Sequence, residues 1–352
     1  MVEGLSTTPQ PDELSVMIGG REFRGFSSIR LTTSVDSFDS LSFVVPFDPG
    51  NRDHRDSFRP YSFKEVSAKI GGHEVFEGTM LTATPSFDSK KSSVEVTCYS
   101  KPAVIGDCVF PGGHTEFKGL DLKQLVEALV APWGLEVEIS CDVGPAFRSV
   151  TIERSGSVGG FIFDLAKQRG ILVSNTTEGK ILLHRPQETQ PMHRFMLGEQ
   201  PLVSVTPGSF SPQNYWSRIN GFVPARSGRP GASYEVENPF LEILRPGAVD
   251  FGDTEDADCE SATVSYLGRM IANSATYNIT VPTWTWPNGR ALITAGETVS
   301  LKADKAMIYN NYNFILRTVS FEGDSKKRSC SMNLVVPESY TGQRPRRLPW
   351  EE

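Results

Sequence analysis

The stretch Ser86-Phe87-Asp88-Ser89-Lys90-Lys91-Ser92 returns late in the chain as Ser320-Phe321-Glu322-Gly323-Asp324-Ser325-Lys326-Lys327-Arg328-Ser329. Both copies lie between segments in which apolar and polar residues alternate, the period of a half-buried strand. A polar tip between two such strands reads as a hairpin, and a hairpin that occurs twice is an internal repeat. Two further echoes accompany it. Val44-Val45-Pro46 matches Val335-Val336-Pro337, and Ile18-Gly19-Gly20-Arg21-Glu22-Phe23-Arg24-Gly25 matches Ile70-Gly71-Gly72-His73-Glu74-Val75-Phe76-Glu77-Gly78. Turns draw on Asp, Ser and Gly for local reasons, so convergence is the competing account. The reading carried forward is two similar β units flanking a mixed middle.

From Leu14 the pattern is period two through Val16 and Ile18, and Gly19-Gly20 supplies a tight turn that tolerates positive φ. Strands follow at Ser28 to Thr33, Leu41 to Pro46, Val66 to Ile70, Val75 to Thr84 and Ser93 to Tyr99. With no helical period before Ser100, residues 13–100 are expected to form a first β-barrel behind an N-terminal arm at 1–12. The period then changes. Asp121, with Gln124 three residues on, N-caps a helix carrying Leu122, Leu125, Val126 and Leu129; a second helix runs from Ser157 to Arg169 with Gly170 at its end. A hairpin follows, so residues 101–195 read as an α+β domain. A second β-barrel is expected over 196–225 and 280–337. It is interrupted at 226–279 by an inserted segment whose helix, Glu255 to Ser274, packs by its Tyr266 and Met270 face. Residues 338–352 read as a C-terminal arm. The fold class expected is mainly β with α+β parts.

At 352 residues, two or three domains are expected. The composition is 38% hydrophobic and 22% charged, that of an ordinary globular chain, and 31 Gly with 24 Pro fit a turn-rich β protein. A net charge of -7 argues against a sequence-independent grip on DNA, which clustered Lys and Arg provide. No apolar run approaches the roughly 18 residues of a membrane span. Met1 to Ser15 is acidic and Pro-bearing where a signal peptide is basic then apolar, so folding in the cytoplasm is expected. Cys98, Cys108, Cys141, Cys259 and Cys330 are odd in number and scattered, which fits reduced thiols. Cys108 and His114 lack two further ligands at zinc spacing, so no metal is expected.

Several motifs fail on layout. His54-Arg55-Asp56 and Asp250-Phe251-Gly252 spell protein-kinase triplets, but the nucleotide lobe is missing before the first and the second lies far too distant. Asp253, Glu255, Asp256, Asp258 and Glu260 lack the Gly and Glu register of a calcium loop and suit a helix start. Trp284 and Trp286 beside Asn288-Gly289 read as core or subunit contact rather than a sugar platform.

The order of the remaining motifs resembles a known family. Val44-Val45-Pro46-Phe47-Asp48-Pro49, Tyr99-Ser100-Lys101-Pro102, Gln168-Arg169-Gly170-Ile171-Leu172-Val173, Gly296-Glu297-Thr298-Val299, Phe314-Ile315-Leu316 and Leu334-Val335-Val336-Pro337 follow one another as in the tail hub proteins of contractile-tailed phages. The resemblance is to baseplate hubs of Mu-like phages, and more loosely to the late control protein D group and the hub piece of type VI secretion spikes. It spans Leu14 to Tyr340. It implies two tube-like β-barrels with α+β domains beside them in a pseudo-sixfold homotrimer, an adaptor between a sixfold tail tube and a threefold spike. Implied partners are the tail spike protein, the tail tube or tape-measure, and other baseplate proteins. DNA would pass the lumen without specific binding, and no stable membrane insertion is implied. The place implied is the virion baseplate, after assembly in the host cytoplasm. Neither catalytic residue nor cofactor is implied; the alternative is a cell-wall hydrolase acting during penetration.

Two segments supply candidate contact residues. The loop Asp48 to Tyr61 carries Arg52, Arg55 and Arg59, too many cations for a buried turn, and is expected to project toward neighbouring subunits or simply into solvent. In the arm, Arg344, Arg346 and Arg347 join Leu348 and Trp350 between prolines. That composition suits a docking peptide that orders on a partner, against the plainer reading of a disordered tail.

Overall fold

The computed structural model describes residues 14–87, 92–208, 213, 215–225, 230–251, 259–287, 289, 291–324, 327–340, 345 and 347–351. Thirteen strands form one sheet, and within it two groups of six are laid down in the same order. The first reads Ser28–Ser34, Ser40–Pro46, Ser92–Ser100, His73–Phe87, Glu65–Ile70, Leu14–Ile18; the second reads Ser204–Pro207, Tyr277–Val281, Arg328–Val335, Ile308–Gly323, Thr298–Ala303, Arg194–Met196. Neighbours are antiparallel throughout, except that Arg194–Met196 runs parallel to Thr298–Ala303 where Leu14–Ile18 runs antiparallel to Glu65–Ile70. Both long hairpins are bulged at the same place. The register shifts between Met80 and Thr82 in one and between Leu316 and Thr318 in the other. An extra residue there bends the strand and frees its far half for a different neighbour.

The repeat seen in the sequence is therefore structural, with one adjustment. Phe87 pairs with Ser92 and Gly323 with Arg328, so the hairpins match at one constant offset that brings Phe87 opposite Gly323 rather than Phe321. The tips, 88–91 and 325–326, lie outside the described residues. The Ile18 and Ile70 echo is also structural: Gly19, Gly20, Gly71 and Gly72 all have positive φ, as two-residue hairpin turns of this hand require. The Val-Val-Pro echo is not. Val44–Pro46 ends the strand equivalent to Tyr277–Val281, whereas Val335 ends the strand equivalent to Ser92–Ser100.

The two halves are not separate. Ile308–Gly323 is long enough to pair with Thr298–Ala303 by its first part and with Ser28–Ser34 of the first half by its second, from Thr318↔Ser34 to Gly323↔Ile29. Among the described residues the ladder is open, ending in Ser204–Pro207 and Arg21–Phe23. One apolar core runs under both halves, from Val16 and Phe43 to Phe314 and Met332. Trp284 and Trp286 are buried in it, as the core alternative expects. Their indole nitrogens donate to the Glu322 carbonyl at 3.1 Å and to Glu297 Oε2 at 3.0 Å.

The inserted segment begins earlier than expected. Arg218–Val223 leaves the main sheet and pairs with Ala232–Glu237 and Pro246–Asp250 in a three-stranded sheet of its own. Its alternating Ile219 and Gly221 carry the signature of any strand, so the sequence could not say which sheet it joins. Tyr277–Val281, divided by the expected boundary at 279, belongs whole to the main sheet.

Four helices are described: α1 (Arg52–Ser57), α2 (Leu122–Val130), α3 (Val158–Gln168) and α4 (Cys259–Ser274). The expected start of α4, 255–258, lies outside the described residues. On α4, Leu267, Met270 and Ile271 are buried and Tyr266 is partly buried against the same core. The middle unit has its own core, with α2 and α3 packed against Leu172–Asn175 and Ile181–His184. The expected capping box of α2 is present, Asp121 Oδ1 accepting from Gln124 N at 2.8 Å. Ser157 caps α3 and Gly170, at φ 63°, ends it. All five cysteines are free thiols; burial pushes Cys98 up to about 12, out of the reactive range.

Candidate assembly interface

The loop from Asp48 to Tyr61 contains α1, which the sequence reading did not foresee. The segment Arg-Asp-His-Arg-Asp-Ser offers no apolar stripe, and the one available signal was Asn51, whose side chain caps the helix by accepting from Asp53 N at 2.8 Å. His54 packs among Phe23, Phe47 and Phe58 and accepts from Asp48 N at 3.1 Å, so its role is structural. Arg52 is exposed and reaches Asp56 at 3.6 Å, Arg55 donates to the Pro49 carbonyl at 3.0 Å, and Arg59 is exposed. Beside these cations stands a feature the sequence reading missed. Tyr61 is 88% exposed, and it and Phe63 both hold positive φ, a conformation that bulky side chains rarely adopt.

The described residues 347–351 of the C-terminal arm are seated on their own chain. Tyr312 Oη donates to the Arg347 carbonyl at 2.8 Å, and the Arg347 guanidinium lies 5.6 Å from the Tyr312 ring. Leu348 is fully buried and Trp350 packs part-buried against the main core. Arg344 and Arg346 lie outside the described residues. Among the candidates, then, Arg52, Arg55 and Arg59 cluster on one loop, and Arg347 sits by the Ile308–Gly323 strand. Residues 347–351 have an apolar seat within the chain.

A polar seam ties the units together at the turn Val35 to Asp39. Asp39 N donates to Asn175 Oδ1 at 2.7 Å, and the Asp39 carboxylate accepts from Asn175 Nδ2 at 3.0 Å and Ser34 N at 3.2 Å. His184 Nε2 donates to the Val35 carbonyl at 2.7 Å. Arg317 spans the other side, donating to Asp36 at 2.9 Å and to Asn273 of α4 at 3.0 Å. Burial lifts Asp39 to about 7 against its hydrogen bonds and lowers His184. Glu297, raised by burial, is held by Thr294 N and Trp286. Together with Asn175, these three groups line a cleft of about 570 Å³ between the units. Each is engaged in holding backbone or a neighbouring side chain, so the cleft is built as a joint.

Besides the short strands Arg21–Phe23 and Arg194–Met196, two stretches of strand edge in the main sheet stay uncovered among the described residues. The far half of His73–Phe87, from Leu81, pairs only with Ser92–Ser100, since Glu65–Ile70 stops at Thr79. Ser204–Pro207 pairs only with Tyr277–Val281. Apolar side chains stand on both: Phe87 is 59% exposed and Val203, beside the second edge, 61%. The signal for these edges was in the sequence. Pro85 and Pro207 interrupt period-two runs, and proline inside a strand marks an edge.

Comparison with known proteins finds similar chains. A family model described as "Baseplate hub protein gp44-like, second domain" matches residues 103–185, the middle α+β unit. The baseplate hub protein gp44 of Escherichia phage Mu is 23% identical over an alignment covering 95% of this chain and 97% of that protein. The crystal structure of the 43 kDa tail protein of prophage MuSo2 from Shewanella oneidensis superposes with a TM-score of 0.78 at 21% identity, covering 94% of this chain and 99% of that one. The E. coli protein c3393, described as a type VI secretion component structurally similar to phage T4 tail proteins gp27 and gp5, gives a TM-score of 0.55 at 10% identity, over 95% and 80% of the two chains. The resemblance to Mu-like baseplate hubs drawn from the sequence thus stands, and the likeness to the type VI component is one of fold.

Proposed function

We infer from this likeness to Mu-like baseplate hubs that the chain is a structural hub of a phage or phage-like tail baseplate, and we propose that it works as a homotrimeric adaptor joining a sixfold tail tube to a threefold spike. One observation carries the finer reading. Two groups of six strands in the same order, joined edge to edge, make each chain two similar units side by side. Three such chains around one axis present six similar β units while keeping threefold identity, and cyclic closure buries edges that a lone chain leaves open. In this arrangement the units act as tube-like β-barrels, and a lumen along the axis passes DNA without specific contact. Arg52, Arg55 and Arg59, with Tyr61 beside them, are the surface offered to neighbouring baseplate or tube proteins. The wall-hydrolase alternative draws no support from these comparisons.

Mass measurement in solution by light scattering, together with the subunit count in the assembled tail, tests the reading. A trimer in either is expected. A monomer at micromolar concentration with no trimer in the assembled tail would overturn it. A zymogram on peptidoglycan, run on the same preparation, tests the alternative, and a clear zone would revive it.

A further inference from the structure

We propose that the uncovered edge at residues 81–87 joins strand Ser204–Pro207 of a second copy of this chain, repeating between copies the seam made within the chain by residues 318–323 and Ser28–Ser34. The inference rests on the oligomeric reading above and specifies where the copies meet.

The internal seam is the template. Past its bulge at Arg317, Ile308–Gly323 leaves Thr298–Ala303 and takes Ser28–Ser34 as its neighbour. Past its bulge at Leu81, His73–Phe87 likewise leaves Glu65–Ile70, and no described strand takes the vacated side. The other end of the sheet is the counterpart. Ser28–Ser34 is covered on both sides, by Ser40–Pro46 and by the long strand; its equivalent, Ser204–Pro207, is covered on one among the described residues. Among its described residues each chain therefore carries one unused member of each kind, the equivalents of the two that pair inside it.

The repeat also fixes a register. Thr97 pairs with Thr82 and Asn333 with Thr318, which makes Ser86 the equivalent of Glu322 and Phe87 that of Gly323. Leu41 faces Cys98 as Tyr277 faces Leu334, which makes Thr206 the equivalent of Arg30 and Val205 that of Ile29. Inside the chain Arg30 faces Glu322, and Arg30 Nε donates to Glu322 Oε1 at 2.8 Å. Between copies Ser86 then faces Thr206, Phe87 faces Val205, and Pro85 faces Pro207.

That last pair shapes the behaviour of the seam. Val35 N donates to the Arg317 carbonyl at 3.0 Å, so alternate residues from Arg317 turn their hydrogen-bonding groups toward Ser28–Ser34. In the first half the same alternation includes Pro85, and neither it nor Pro207 has an N–H to give. The ladder loses its donors at one crossing, and the join depends more on Leu81, Phe87, Val203 and Val205. Edges built this way resist indiscriminate strand addition yet accept a matched apolar neighbour. Each copy uses one edge of each kind, so the contact is head to tail, and a closed ring satisfies both of these edges in every copy.

The test is a cysteine pair at the facing positions, Ser86→Cys with Thr206→Cys, in the full chain. Directly opposed residues of antiparallel strands are within disulfide reach. After mild oxidation, non-reducing denaturing electrophoresis of the double variant is expected to show linked dimers and trimers, and each single variant to stay unlinked. Mixing the two single variants should yield dimers only, the mark of a head-to-tail seam. An oligomer by light scattering without linkage in the double variant would overturn this seam and leave the adaptor reading intact. A protein that is monomeric and unlinked at every concentration, with no trimer in the assembled tail, would sink both. Linkage of the single variants to the same extent as the double would also reject the register.

Discussion

Asp39 is the residue in which the joint between units becomes measurable. Its carboxyl is lifted by burial to about 7 in the folded chain, against about 3.9 when unfolded. Between those values the folded protein holds a proton that the unfolded chain has lost, so this group's contribution is complete below about pH 4 and disappears as pH rises through about 7. His184, lowered by burial, acts in the opposite sense, costing stability as pH falls through the ordinary histidine range. Comparing wild type with Asp39→Asn cancels the histidine, which both proteins share. Urea midpoints at pH 5, 6.5 and 8 are expected to fall with pH more steeply in wild type than in Asp39→Asn. Equal slopes would show that the Asp39 proton is not coupled to folding. Nothing in the sequence marked this residue, because an Asp in a short turn is what turns ordinarily use; its significance comes from Asn175, 136 positions away.

Among elements, the C-terminal arm shows how far period and composition carry. Lacking apolar alternation, it reads as mobile, yet one leucine is enough to seat it. Leu348 is buried, so Leu348→Ala is expected to cost roughly 2 kcal/mol or slightly more. Thermal or urea unfolding checks this, and an unchanged midpoint would mean the seat contributes nothing. Strands and long helices were legible for the reason the arm was not. Val94, Val96 and Cys98, or Leu122, Leu125, Val126 and Leu129, repeat at the spacing that buries one face. Which strands are neighbours was less legible. Arg218–Val223 and Tyr277–Val281 have the same alternation and end in different sheets, since pairing depends on what lies across rather than along the chain. The arginine cluster was visible as charge, whereas α1 beneath it was not, its one cap residue being a weak cue.

For the whole molecule, the shared sheet makes the first half dependent on the second. Ser28–Ser34 has residues 318–323 along one side, and a fragment ending at residue 100 exposes that side with Leu31 and Ile29 beside it. Residues 13–100 made alone are expected to aggregate or to remain loosely packed by light scattering and near-ultraviolet dichroism. A monodisperse fragment with native-like dichroism would show the halves to be autonomous. The same doubling has an evolutionary side. In the first half the strands Ser28–Ser34 and Ser40–Pro46 are joined by a tight turn. Their equivalents, Ser204–Pro207 and Tyr277–Val281, are separated by a whole three-stranded sheet and α4. An oligomer of identical single units must alter all its corners at once, because every corner is encoded by the same codons. A chain that carries the unit twice can enlarge one corner and leave the other as a working turn, so alternate positions become free to diverge and a ligand of lower symmetry finds a distinguishable place to sit.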